Sequence, residues 1–200
     1  MDSTVLTTLI TTLGSISVAV ITVIVKTAMD NKKALAYKEK EEVINEVDLE
    51  EMIILQDWLE AIRDKYGFDR SSIFQFHNGG KFFQGRSMKK FSMTYEAVAP
   101  GYEKTKRSHQ NVLCSEYPKW ISTMIKKKCF ANLVAELEPR DKHELEQMGV
   151  QQYVTVPIYC LKGALIGFIV GYNMKRIDEN IKSKFVPLVE ESKLVSGYLA

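Results

Sequence analysis

The chain has 200 residues, 46% hydrophobic and 10% aromatic, with 27 basic against 25 acidic side chains and a formal net charge of +2. That near balance, with no motif for reading bases or phosphates, argues against a nucleic-acid partner, and the length leaves room for one ordinary domain once the N-terminal third is set aside. Cys114, Cys129 and Cys160 are widely spaced and form no CxxC or Cys/His pattern, so no metal site is expected and the thiols are read as reduced.

Residues 5–25 carry no charge, and Lys26 ends the run. As a helix this run reaches about 30 Å, the thickness of a bilayer's hydrocarbon core. A signal peptide would begin with a basic stretch, whereas Asp2 is the only ionisable side chain ahead of the run, so residues 1–25 are read as a retained transmembrane anchor. Thr4, Thr8, Thr11, Ser15 and Thr22 fall near one helical face beside Gly14. Small hydroxyl side chains let helices approach closely in lipid, which makes Thr8, Thr11 and Ser15 candidates for a self-association seam. The alternative is that the hydroxyls bond back to their own helix carbonyls. Lys26, Lys32, Lys33, Lys38 and Lys40 follow the span and none precedes it, an asymmetry that places the C-terminal part in the cytoplasm.

Residues 26–66 hold no proline or glycine and favour a long connecting helix. Val43, Val47, Ile54, Trp58 and Ile62 recur at three- and four-residue steps and give it one apolar face. With only about two heptads of repeat, short for a coiled coil, the later half of this helix is expected to dock on the domain and the whole to support a parallel dimer, a homo-oligomer through helices. Gly67 supplies its C-terminal stop.

Residues 67–200 read as the folded domain. A first strand covers 71–76, and His77-Asn78-Gly79-Gly80 is expected to turn the chain, because Asn and Gly tolerate positive φ. Strand material is expected at 81–84 and 91–97, a polar surface loop or lid at 100–110, and a helix from Pro118 to about residue 128. A short strand at 129–135 and a helix from Pro139 to Gly149 precede a hairpin, 153–159 and 165–172, which turns at Lys162-Gly163. An amphipathic helix at 182–199, bent or restarted at Pro187, closes the chain. This order gives an α+β fold: an antiparallel sheet flanked by helices, behind a transmembrane helix and a long helix.

The hairpin carries a family resemblance. Val154-Thr155-Val156-Pro157-Ile158, then Gly163, then Ile166-Gly167-Phe168-Ile169-Val170, resembles the "vPi…g…iGvl" hairpin of GAF domains, the PAS-related sensor fold, whose glycine lets the strand pack closely. The element order of residues 45–200 is similar to that family. The FHNG segment, Phe76 to Gly79, with Ser92 to Glu96 after it, resembles a membrane-anchored GAF-like set common in tailed-phage genomes. The resemblance implies a small ligand held between the sheet and its covering helices and loops; its identity and any cofactor stay open. Phe74, Phe76, Ser92, Thr94 and Tyr153 would line the pocket, and Arg86 and Lys90, with Lys89, would meet an anion such as a cyclic nucleotide. The bland alternative makes these aromatics core and these lysines a solvated face.

His77, Asn78, Tyr95 and Glu96 gather chemistry beside the same strands. His as base with Glu as its orienter is one reading. No Gly-x-Ser-x-Gly elbow, P-loop or HExxH accompanies them, so no catalytic residue is assigned, and His77 and Asn78 are read as pinning their loop with Glu96 as a partner. The expected function is a membrane-anchored, non-catalytic binding or sensing module. The competing reading is a single-span, holin-like permeabilising effector with a GAF/PAS-like regulatory domain, whose family places that domain outside the cytoplasm.

Overall fold

The structure, a computed structural model, describes residues 25–32, 46–81 and 87–199. It divides into two compact units, Met1–Leu49 and Glu50–Ala200. In the first, residues 25–32 are helical and exposed. The expected anchor, with Thr8, Thr11 and Ser15, and the middle of the connecting helix lie outside the described residues. Among the described residues no helix is long and apolar enough to cross a membrane.

Helix α1 (Glu46–Tyr66) opens the second unit's fold. Its buried stripe is Leu55, Leu59, Ile62 and Tyr66, spaced four, three and four apart, one face of a helix. This corrects the expected face in part: Ile62 is buried and Trp58 packs against the core as expected, while other members of that face are exposed. Val47 and Ile54 are 61% and 45% exposed, because the helix is rotated to bring Leu55 and Leu59 onto the sheet. Gly67 at φ +63° ends the helix, and Phe68 N–H donates to Arg63 O at 2.9 Å.

Six strands follow: β1 (Arg70–Lys81), β2 (Ser87–Val98), β3 (Val112–Leu113), β4 (Phe130–Leu133), β5 (Gln152–Tyr159) and β6 (Leu165–Asn173). They form one sheet in the order β3-β2-β1-β6-β5-β4, with every neighbouring pair antiparallel. Helices α2 (Pro118–Lys127) and α3 (Pro139–Gln147) contribute to the core on one face, where Phe74, Met93, Phe168 and Val170 meet Met124, Trp120 and Leu145. On the other face α1 and α4 (Phe185–Leu199) bring Leu59, Ile62, Leu188 and Val195 against Ile73, Val156, Ile158 and Ile169. Burial on both faces explains why β5 and β6 read as nearly continuous apolar runs instead of alternating ones.

Two segments differ from the sequence reading. His77-Asn78-Gly79-Gly80 does not turn: β1 runs through it, pairing His77 with Lys90 and Asn78 with Lys89, and the register shifts before Lys81 meets Ser87. Glycine here serves an irregular strand instead of a reversal. Gly79 lies under the Lys90 side chain, and Gly80 sits at φ +108° within the register shift. The strand expected at 129–135 is shorter, because Val134–Glu136 winds into a 3-10 turn.

The hairpin is placed as expected, with Gly163 at φ +76° in its turn. A Cβ on Gly167 would collide with the Phe74 carbonyl oxygen of β1, so the close approach of β6 to β1 demands glycine there. Pro187 lies in the first turn of α4, directly after a 3-10 turn at Ile181–Lys184, so the helix restarts there.

Candidate functional site

The site is built around the loop 99–111, between β2 and β3. Sequence reading made this stretch a surface loop or lid; the structure ties it to the sheet through a buried acid. Glu96 is 2% exposed, and its carboxylate accepts Thr105 N–H at 2.8 and 2.9 Å, Lys106 N–H at 2.9 Å and the Thr105 hydroxyl at 2.9 Å. Its counter-charge is Arg70, 3% exposed, with Nε 3.1 Å from Glu96 Oε1 and Nη2 donating to the Glu103 carbonyl at 2.6 Å. The register makes this pair: Ser72 faces Glu96 and Arg70 faces Val98, so both long side chains emerge on the same sheet face.

The far end of the loop is held separately. Met93 N–H donates to His109 O, and Gln110 Nε2 donates to Met93 O, at 2.9 and 2.8 Å. Asn111 N–H donates to Ser92 Oγ at 2.8 Å, and that oxygen lies 2.9 Å from His77 Nε2. His77, expected to pin the 77–80 segment with Glu96 as a partner, instead meets Ser92 from within β1, and Glu96 projects on the opposite sheet face.

Between this loop, the sheet, α2 and α3 lies a cavity of about 100 Å³. Phe74, Phe91 and Phe168 form its sheet wall, Tyr117 and Trp120 stand at and on α2, and Tyr153 and Tyr172 close the inner side. The rings pack on one another: Phe74 stacks on Phe168 at 4.7 Å and 12°, while Phe91 and Trp120 meet Phe168 edge-on at 73° and 77°. The charged groups on the wall are Asp141 and Glu144 of α3 and His109 of the loop.

Glu144 joins these parts. Its Oε2 accepts the Tyr117 hydroxyl at 2.7 Å, and its Oε1 lies 3.5 Å from His109 Nε2. His109 Nδ1 donates to the Thr105 carbonyl at 2.9 Å, which leaves Nε2 to face the carboxylate and favours the imidazolium. Burial alone would lower the His109 pKa, but Glu144, the Thr105 carbonyl and Glu96 together hold it above its usual 6.5. Hydrogen bonding to His109 in turn holds Glu144 below 4.5, against the opposing effect of burial and with help from the Tyr117 hydroxyl. Burial first, then the bond to Glu144, pushes the Tyr117 phenol well above its ordinary range, so it stays a donor.

Among the residues expected to line a pocket, Phe74 and Tyr153 are on the cavity wall. Phe76 packs at the edge of the same core. Thr94 occupies the register shift of β2 and donates to Ile73 O at 3.3 Å, and Tyr95 packs on the α1 face. Ser92 and His77 also project on that face, Asn78 accepts from Lys89 at 2.9 Å, and Lys90 covers Gly79. Glu96 lies beneath the loop, and Arg86 lies outside the described residues. No lysine or arginine is on the described wall, so Lys89 and Lys90 stand apart from the cavity. The groups not anticipated are Arg70, His109, Tyr117, Trp120 and Glu144. Among the described residues no three His, Cys, Asp or Glu side chains converge as a metal site would require.

The His109–Glu144 pair has a defined pH window. The raised His109 contributes stability in full below its unfolded pKa of 6.5 and loses it as pH rises through the folded value; the lowered Glu144 contributes above 4.5 and loses it as pH falls through its folded value. The pair is therefore at full strength between those limits. Glu144→Gln, which keeps an acceptor for Tyr117, is expected to lower stability at about pH 5.5 by up to about 1 kcal/mol and to have a smaller effect at about pH 8.5. Urea titrations at both pH values measure this; an equal loss at both would show that the pair carries no charge-dependent stability.

No protein-family model matches the chain, and no curated protein does. Solved structures do. The phycoerythrobilin-bound GAF domain of a cyanobacterial phytochrome superposes with a TM-score of 0.57 at 17% identity, covering 75% of this chain and 87% of its own. The blue-light-absorbing form of the Thermosynechococcus elongatus PixJ GAF domain gives 0.56 at 16% identity, covering 78% and 90%. The GAF domain region of a Geobacter sulfurreducens protein gives 0.54 at 12% identity, covering 75% and 93%. At these identities the likeness is one of fold: this chain folds as a GAF-like antiparallel sheet with flanking helices.

Proposed function

We propose that the chain is a membrane-anchored, non-catalytic sensing module that binds a small molecule in the aromatic cavity. The observation that carries this reading is the cavity itself, formed on the sheet face under a loop that buried charges hold in place. A pocket lined by aromatics with a few converging polar groups suits a small ligand. Its size favours a compact one. An engineered cavity of about 150 Å³ takes benzene, and this one measures about 100 Å³. The polar groups on the wall engage one another, His109 with Glu144 and Tyr117 with Glu144, an arrangement that orients a ligand without an activated nucleophile.

The anchor rests on the uncharged run 5–25, and the cytoplasmic placement on the lysines that follow it. Self-association through helices is supported by apolar side chains that α1 leaves exposed, among them Met52, Ile53 and Ile54. In this reading the module is of the single-span kind met in tailed-phage genomes.

Two experiments test it. Leu145→Trp fills the cavity from α3 and is expected to abolish the thermal shift and the Trp120 fluorescence change that small-molecule ligands cause, while the variant melts within a few degrees of the parent. Retained ligand shifts would place binding elsewhere. For topology, an impermeant maleimide is applied to intact cells, to lysed cells and to denatured protein. Cys114 and Cys160 are partly exposed, whereas Cys129 is buried and its thiol is pushed up to about 12 by burial. Labelling of Cys114 and Cys160 only after lysis is the expected result. Labelling in intact cells would put the domain outside and favour a permeabilising effector.

A further inference from the structure

Resting on the anchored reading above, we infer that one end of the domain is a lipid-contacting surface, where exposed apolar tips and lysines meet the anionic headgroups of the membrane that holds the chain. The strand register defines that end. There β5 finishes and β6 starts, joined by residues 160–164. β1 pairs Gln75 with Gly167 and runs on beyond it, so Lys89 and Lys90 of β2, opposite Asn78 and His77, lie toward the same end. β4 is antiparallel to β5, with Phe130 opposite Thr155 and Leu133 opposite Gln152, so the connection from α2 into β4 approaches this end too.

Three places here repeat one pattern, an apolar side chain followed by lysine. Leu161 is 99% exposed in the β5–β6 turn, beside the exposed Lys162. Ile125, 54% exposed, precedes the exposed Lys126, Lys127 and Lys128. Half-buried Met88 precedes Lys89 and Lys90. Residues 87–90, 125–129 and 160–164 contain no acid. Against these lysines stand Glu116 beyond β3 and Glu50 and Glu51 on α1, fewer charges than they oppose. The other end of the sheet mixes signs, with Asp69, Glu103, Asp178 and Glu179 among Lys104, Lys175 and Arg176.

The path of α1 says which partner this end meets. Ile62 and Tyr66 share a core cluster with Val154 and Val156, whereas Leu55 and Leu59, nearer the N-terminus, share one with Ile158. Followed back toward Glu50, α1 therefore advances toward the β5–β6 turn, and the chain ahead of it carries the uncharged run 5–25. A nucleic acid would engage the lysines and leave Leu161 in water. A bilayer uses both, because apolar tips enter the boundary between headgroups and acyl chains while lysines on long stems reach the phosphates.

The test uses the full-length chain in vesicles of phosphatidylcholine, alone or with about 30% phosphatidylglycerol. Cys114→Ser and Cys160→Ser leave the buried Cys129 as the remaining thiol. In that background a nitrobenzoxadiazole label, which brightens on leaving water, is attached at Leu161→Cys or, at the other end, at Glu179→Cys. Retention of the chain by the vesicles after alkaline carbonate is scored in parallel. The label at 161 is expected to shift blue and gain about twofold in emission with phosphatidylglycerol, and the label at 179 to stay as in water. Lys127→Glu with Lys162→Glu, both exposed, is expected to remove the gain while circular dichroism stays unchanged. A label at 161 that stays as in water, a gain equal without phosphatidylglycerol, or one untouched by charge reversal would overturn the inference, and retention after carbonate would then leave the anchor standing. A gain in a chain that carbonate removes would overturn the anchor and leave a peripheral contact. Neither gain nor retention would overturn both.

Discussion

The Arg70–Glu96 pair is the contact from which the site's geometry follows. Two charges nearly without solvent access are costly to bury, and the cost is offset only where hydrogen bonds satisfy them. Glu96 is supplied by two backbone amides and a hydroxyl from residues 105 and 106, whereas Arg70 bonds the Glu103 carbonyl through Nη2 alone and relies on the Glu96 charge beside its Nε. The loop therefore solvates the buried carboxylate as water would. It gains a fixed path over the sheet in return, and that path delivers His109 to Glu144 and closes one side of the cavity. Removing one partner of such a pair would leave an uncompensated charge, a loss of about 3–5 kcal/mol in comparable cases.

Glu96 also connects the two sides of the sheet. Its side chain holds the loop on the cavity face, while its carbonyl accepts Gln56 Nε2 of α1 at 3.2 Å on the helix face. Two residues on, Val98 O accepts Arg63 Nη1 at 2.6 Å. In β1 the register shift separates Ile73, packed among the α1 and α4 side chains, from Phe74 on the cavity wall. A change in the loop or the cavity thus has a short physical route to α1, the helix that leads back toward the proposed anchor. That route is the one the proposed sensing function would use.

What was legible in the sequence was local. The hairpin of β5 and β6 announced itself by a glycine turn between apolar runs, and Gly167 by its place in a motif whose glycine meets a neighbouring backbone. Helix starts at Pro118 and Pro139 follow from the fixed φ of proline. The errors arose where long-range pairing overrode local preference. Asn78-Gly79-Gly80 carries the chemistry of a turn, yet pairing with Lys89 and Lys90 extends β1 through it. On α1 the apolar residues are numerous enough to offer two stripes, and only contact with Ile73, Val195 and their neighbours selects the one through Leu55 and Leu59. The site was less legible than the fold, because its parts meet from a loop, two helices and five strands. Arg70 is a charge at a strand start; its one available signal is that it and Glu96 are of opposite sign in two strands that become neighbours. His109, Trp120 and Glu144 had no such signal.

The most direct measurement of the central claim is amide hydrogen exchange at Thr105 and Lys106, with Met93 as the reference strand amide bonded to the same loop. If the buried carboxylate holds the loop, both amides exchange as slowly as Met93, through openings that approach global unfolding. Rapid exchange at Thr105 and Lys106 beside a protected Met93 would mean that the loop is not fastened by Glu96. The account of a cavity closed by a fixed loop would then be wrong.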